Sequence, residues 1–245
     1  MKKFLLIFSL INYISFAQDT ELPFSDGESC TYQISYGVFG GGHAKYVLSQ
    51  NKSETKVIAS GGSNSFVDLF FPVRNRYESI INNQTLLPKY FKRDNNEGGH
   101  LINQEYLFNH ELKTVNTHKG KFNCESKSFD MLSAFIYGRT INSSNLKKNK
   151  PIFINLFIDE RTYKMPVSYL GKETIRTKIG NIRCLKFSPK VQVGRVFKHE
   201  DDLTIWFSDD KNRLLVKVEL GIWVGSIDAI ITNAKNIKFP LSITD

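Results

Sequence analysis

The chain has 245 residues, 41% of them hydrophobic and 13% aromatic, and a formal charge of +9 at pH 7. That composition excludes a disordered or collagen-like chain and supports a real core, within the size range of one large β-domain. Five histidines and three cysteines carry no HxH, HExxH or CxxC spacing, so a zinc site has no local seed.

The chain opens on a leader. Lys2 and Lys3 form a positive head, Phe4 to Phe8 with Leu10 and Ile11 an apolar run, and Ser15-Phe16-Ala17 brings small residues to a cut after Ala17. This predicts a secretory signal peptide over 1–17 and a single exported β-domain over 18–245, placed in the periplasm or outside the cell. The run is too short to span a bilayer, and Gln18 is not Cys, so neither a transmembrane segment nor a lipid anchor at this cut is expected in the mature chain. Export removes the protein from ATP, nicotinamide cofactors and nucleic acid. No cofactor, metal or nucleic-acid partner is expected.

Beyond a polar stretch ending at Glu28, period-two alternation dominates, the mark of strands with one face toward a core. Tyr32, Ile34, Tyr36 and Val38 share a face, Gly40-Gly41-Gly42 reads as a turn, and Ala44, Tyr46 and Leu48 resume the pattern toward Gly61-Gly62. A short helical turn is expected over 64–71, stopped by Pro72. Further strands are predicted at 73–81, 89–93, 100–108, 114–118, 152–158, 163–170, 173–178, 182–189, 203–207, 214–220 and 222–232. Turn signals separate them, among them Asn82-Asn83, Asn95-Asn96-Glu97-Gly98-Gly99, Gly180-Asn181 and Asp209-Asp210-Lys211-Asn212. Their spacing suits antiparallel meanders.

One segment departs from alternation. Phe129, Leu132, Phe135 and Ile136 fall on one helical stripe, with Ser128 or Asp130 able to cap the start and Gly138 the end. The expected architecture is therefore all-β: a curved antiparallel sheet or incomplete β-barrel wrapped over one helix at Ser128–Tyr137. Cys30, Cys124 and Cys184 are widely spaced and odd in number, and no obligatory disulfide is expected.

The sequence carries no GxSxG elbow and no Cys-His pattern. Glu97 with His100, and His199 with Glu200, Asp201 and Asp202, read best as solvated turns. Aromatics point elsewhere. Trp206 opposes Leu203, Ile205 and Phe207, and Trp223 opposes Ile222 and Val224, so the sheet carries bulky apolar groups on both faces. Its second face must be covered, either by the helix as a thick core or by a ligand. Phe70, Phe71, Trp206 and Trp223 are candidate lining residues, with Arg195 as a head-group partner. Arg74 and Arg76 share a strand face and suit a carboxylate or phosphate, although an ion pair of Arg76 with Glu78 is the plainer reading. The Lys147-Lys148-Asn149-Lys150 run reads as a solvated loop, with anionic membrane or polysaccharide contact as its alternative.

Several runs occur together: Leu22-Pro23-Phe24 with Gly27-Glu28, Tyr32-Gln33-Ile34-Ser35-Tyr36-Gly37, Arg76-Tyr77-Glu78-Ser79, Asn96-Glu97-Gly98-Gly99, Asp130-Met131-Leu132-Ser133-Ala134-Phe135, Cys184-Leu185-Lys186-Phe187-Ser188-Pro189, Gly194-Arg195-Val196-Phe197-Lys198 and Leu203-Thr204-Ile205-Trp206. Their order resembles the bacterial exported family called Domain of Unknown Function 3108, over nearly the whole mature chain. The resemblance implies an exported, mostly antiparallel β protein of unassigned activity, and it brings no catalytic or ligand residues. Its general look is similar to the half-open barrels that carry lipoproteins in the periplasm, an analogy of fold. The expected function is non-catalytic binding of a lipid or acyl chain. The alternatives are a structural or interaction protein of the envelope with a dry core, and a glycan-directed hydrolase whose carboxylates cannot be named from the sequence.

Overall fold

The computed structural model describes residues 21–37, 39–148, 150–191, 199–200, 202–221 and 225–244. The expected leader lies outside these residues. The first half is a meander of consecutive antiparallel strands: β1 (Ser29–Tyr36), β2 (Phe39–Gln50), β3 (Glu54–Ser63), β4 (Val73–Asn82), β5 (Pro88–Glu97), β6 (His100–Asn109), β7 (Thr114–Thr117) and β8 (Gly120–Asn123). Helix α1 (Ser65–Asp68) occupies the β3–β4 connection. Strand β9 (Ser128–Phe129) and helix α2 (Met131–Arg139) then lead into the second meander. That meander is β10 (Ile152–Ile158), β11 (Arg161–Thr177), β12 (Gly180–Pro189), β13 (Leu203–Ser208), β14 (Leu215–Gly221) and β15 (Ser226–Lys235), with the short β16 (Ile243–Thr244) on β12. Pairing of β15 with β1 fuses the two into one sheet whose ends are β8 and β9. The all-β expectation holds.

Three local readings need correction, each for a backbone reason. Gly40-Gly41-Gly42 is not a turn: β2 runs through it, and the ladder with β1 already begins at Phe39, paired with Tyr36. A Cβ on Gly42 would collide with the carbonyl of Gly62 across the ladder, so the glycine serves close strand approach. Asn95 and Asn96 likewise belong to β5, and the β5–β6 turn is confined to Gly98-Gly99, both at positive φ. The strands expected at 163–170 and 173–178 are one, β11. A register shift between Tyr169 and Gly171, with Gly171 at φ 123°, absorbs the irregularity without ending the ladder.

The helix also begins later than the apolar stripe suggested. Ser128 and Phe129 pair in parallel with β10, and the helical turns start after Asp130. The Asp130 carboxylate accepts hydrogen bonds from the N–H groups of Leu132 (2.8 Å) and Ser133 (3.0 Å), while the Ser133 hydroxyl accepts from the Asp130 N–H (2.9 Å). That is a capping box. Gly138 does not end the helix, which continues to Arg139. Helix α2 fills the concave side of the sheet: Ile136 is buried among Tyr46, Val57 and Ile81, and the Phe135 ring stacks 5.7 Å from that of Phe207. All three cysteines are free and buried, and burial pushes the Cys184 thiol up to about 12.

One ion pair ties these elements together. The Arg139 guanidinium donates to both oxygens of Glu28, at 2.6 and 2.9 Å, with both side chains fully buried. It also donates to the carbonyls of Asn212 (2.9 and 3.1 Å) and Pro23 (3.2 Å), and lies over the Phe24 ring. Tyr46 donates to Glu28 at 2.8 Å. The pair thus joins the start of β1, the end of α2, β2 and the β13–β14 loop.

Two outcomes follow from these buried charges. Arg139→Met leaves Glu28 buried and uncompensated and is expected to cost about 3–5 kcal/mol in urea unfolding, much of it recovered in Arg139→Met/Glu28→Gln. Asp130 has no cationic partner, and burial raises its carboxyl to about 6. Its folded pKa exceeds the unfolded one, so its stabilisation is complete below about pH 4 and lost as pH rises through about 6. Asp130→Asn keeps the cap. Relative to that variant, the native chain should lose about 3 kcal/mol between pH 4 and pH 7 in thermal or urea titrations.

Candidate functional site

The β1–β2, β3–β4 and β5–β6 connections emerge at one end of the sheet, because consecutive strands alternate direction. Their tips carry Phe39, Phe66, Leu69, Phe70, Phe71 and Leu101, from 52% (Phe71) to 78% (Phe70) exposed. Asn64 caps α1 by accepting from the Val67 N–H, which holds Phe66 and Phe70 edge to face 6.0 Å apart. Phe71 packs over Gly98, where any Cβ would collide with its ring. Glycine there lets the β5–β6 turn support the aromatic side chain. Burying each such residue is favourable by roughly 1.5–3 kcal/mol, so the rim holds apolar surface in water at a cost.

Beside the rim, on the face of the sheet away from α2, lies a cavity of about 590 Å³. Register assembles it: His43 pairs with Gly62, Gly62 with Arg74, Ser60 with Arg76, Arg76 with Asp94, and Asn96 with Leu101. Arg74 donates to both oxygens of Asp68 (3.0 and 2.6 Å), and the Ser63 hydroxyl also donates to that carboxylate. These bonds hold the Asp68 carboxyl down to about 2. Among the described residues, Arg76 makes only a long 3.7 Å ion-pair contact, with Glu78, whose other oxygen is taken by Lys56 at 2.6 Å. The ion pair read from the sequence is present, and the guanidinium still faces the cavity. Arg76 offers a half-exposed cationic fork, with Ser60, Asn96 and His43 as neighbouring polar groups. Among the described residues, no group of three or more His, Cys, Asp or Glu is placed to hold a metal ion.

The five residues singled out from sequence distribute unevenly. Phe70 and Phe71 are on the rim. Trp206 is on a different strand, buried between the ammonium groups of Lys186 and Lys217, its cross-strand neighbours, at 5.0 and 4.8 Å from the ring. Its indole N–H donates to Glu173 at 3.1 Å, and that bond, with Lys186, holds the Glu173 carboxyl below the usual range. It opposes Ile205 and Phe207 as alternation indicated, but lysine stems and an ion-pair lattice cover it. Arg195 and Trp223 lie outside the described residues. The sequence reading missed His43, Ser60, Asp94 and Asn96, whose only signal is alternation in step with Arg74 and Arg76.

A large curved, open sheet around one helix, with an apolar rim and a polar cavity beside it, defines an all-β protein. The chain belongs to the DUF3108 family of proteins of unknown function, whose model matches residues 31–232. A comparison with curated proteins gives no match. Among solved structures it is similar to a β-barrel-like protein of the domain of unknown function DUF1849 from Brucella abortus, with a TM-score of 0.62 at 8% identity, covering 88% of this chain and 99% of that one. A hypothetical protein from Chlamydia trachomatis aligns with a TM-score of 0.42 at 8% identity over 91% of this chain and 94% of that one. At such identity the Brucella likeness shows the fold alone.

Because Trp206 is closed in by lysines, Trp206→Ala should cost about 3–5 kcal/mol in chemical unfolding and leave any binding at the rim unchanged.

Proposed function

We propose that this is an exported, non-catalytic binding protein of the cell envelope that takes an amphiphilic molecule, a lipid or acyl chain, at the rim rather than inside the barrel. The leader over 1–17 supports export. Among the described residues no helix is long and apolar enough to cross a membrane. The observation that carries the reading is the row of six large apolar side chains held in water on three neighbouring connections. The concave side is filled by α2 and its apolar contacts, so an acyl chain would meet the protein at the rim. A polar head group would reach Arg76, Ser60 and Asn96 in the adjoining cavity.

The test is lysophosphatidylglycerol titrated into the mature chain by calorimetry, with native mass spectrometry of protein purified from its own host. Phe70→Ser/Phe71→Ser should weaken binding by about tenfold or more, since each ring loses its burial term, with little change in the unfolding midpoint. Arg76→Ala should weaken an anionic lipid more than its neutral counterpart. Unchanged affinity in the double variant would overturn the rim as the binding place, and no binding by the native chain would leave the alternative, an envelope protein with a dry core.

A further inference from the structure

The opposite, concave face of the same strands holds a second constellation. Elsewhere this face is apolar, with Tyr46, Val57, Ile81 and Phe91 facing α2 or the second meander. Toward the rim end of β4–β6 it becomes polar: register sets Asn75 beside Asn95, and Tyr77 beside Arg93 beside Gln104. Asn95 is 3% exposed and Gln104 7%. The β10–β11 turn covers them through Asp159, which accepts from Arg93 (3.2 Å) and Gln104 (3.1 Å). Next to it, Glu160 is held by Lys119 (2.8 Å).

Among the described residues, three buried polar atoms of this patch, Asn75 Oδ1, Asn95 Oδ1 and Arg93 Nε, have no hydrogen-bond partner, and neither does Glu160 Oε1 in the covering turn. The amide orientations do not remove the deficit. The Asn75 NH2 donates to Glu97 at 2.8 Å, which leaves its oxygen free, and Asn95 shares one amide atom with the Tyr77 hydroxyl, leaving the other unmatched either way round. Each such orphan costs on the order of 1–3 kcal/mol, and native proteins retain few of them. Several converging on one patch mark a place where something else supplies the bonds.

The charges select the class of ligand. A metal ion would face the Arg93 guanidinium, and an anion would face Asp159, Glu160 and Glu97. A neutral hydroxyl can donate to the amide and carboxylate oxygens and accept from the Arg93 Nε–H. Tyr77, packed against the aromatic cluster of Phe91, Tyr106 and Phe157, adds a ring for the C–H face of such a molecule. The cover is held by side-chain contacts: two ion pairs, each with one exposed member, a bond from Gln104 to Asp159, and the Asp159 N–H donating to the Tyr106 hydroxyl.

We infer that the concave patch of Asn75, Arg93, Asn95 and Gln104 under the β10–β11 turn is a binding site for a neutral polyhydroxylated group, such as a monosaccharide unit. Of its four residues, Asn75 alone also lines the cavity beside the amphiphile surface. The experiment is saturation-transfer NMR of the mature chain with glucose and N-acetylglucosamine, each at concentrations up to about 50 mM. Transfer from at least one sugar is expected, weakened about tenfold or more in Asn95→Leu, which removes an orphan and should therefore unfold at a higher temperature than the native chain. Asn75→Val, at a half-buried position, serves as the second variant and should lose transfer in the same way. No transfer from either sugar means solvent alone fills the patch and overturns the site. So does transfer that survives both substitutions.

Discussion

The fold hangs on a buried guanidinium–carboxylate pair whose partners are far apart in sequence. Arg139 sits at the last turn of α2 and Glu28 immediately before β1, and neither touches solvent. Burying such charges costs several kcal/mol unless every lone pair and proton is met, and here Tyr46, Asn212 and Pro23 complete the shell. Asn212 in turn holds the C-terminal segment through Phe239 and Pro240. The segments at Pro23 and at Phe239-Pro240, the helix and one loop of the second meander are thereby brought to a single point.

That anchoring explains how so long a sheet keeps its shape without closing its ladder. Strands β8 and β9 end the sheet, and the gap is spanned by side chains instead of backbone pairs. Phe157 of β10 packs edge to face on Tyr106 (5.2 Å) and Phe108 (5.9 Å), with the Asp159–Glu160 turn bonding to β5, β6 and the β7–β8 turn above them. Aromatic contacts and a few hydrogen bonds do there what ladder pairs do elsewhere. Helix α2 supplies the apolar filling that lets both meanders curl around a common core.

The two faces of β4–β6 follow different rules. Outward, Arg76, Glu78, Lys92 and Asp94 alternate in charge along and across the strands and form a groove beside the rim. Inward, Ser79 donates to the Asp130 cap at 2.7 Å, Phe91 and Tyr106 pack in the core, and Arg93 with Asn95 stays polar without full satisfaction. A sheet can carry both because period-two geometry separates neighbours by the thickness of the backbone.

Periodicity alone is enough to assign most strands and the all-β class from alternation, and the helix from its apolar stripe, since burial on one face leaves a local, repeating trace in the residues. Arg74 and Arg76 were legible as sharing a face, and Phe70 and Phe71 as an apolar step. What alternation does not carry is register between strands distant in sequence. Whether Gly40 to Gly42 bends or permits close approach depends on Gly62 across the ladder. Whether Trp206 lines a pocket or lies beneath lysines depends on Lys186 and Lys217 arriving opposite it. The pairing of Glu28 with Arg139 and the gathering of His43, Ser60, Arg76 and Asp94 around one cavity came only from tertiary structure. Propensity acts between near neighbours, whereas these contacts are chosen by how the whole sheet coils.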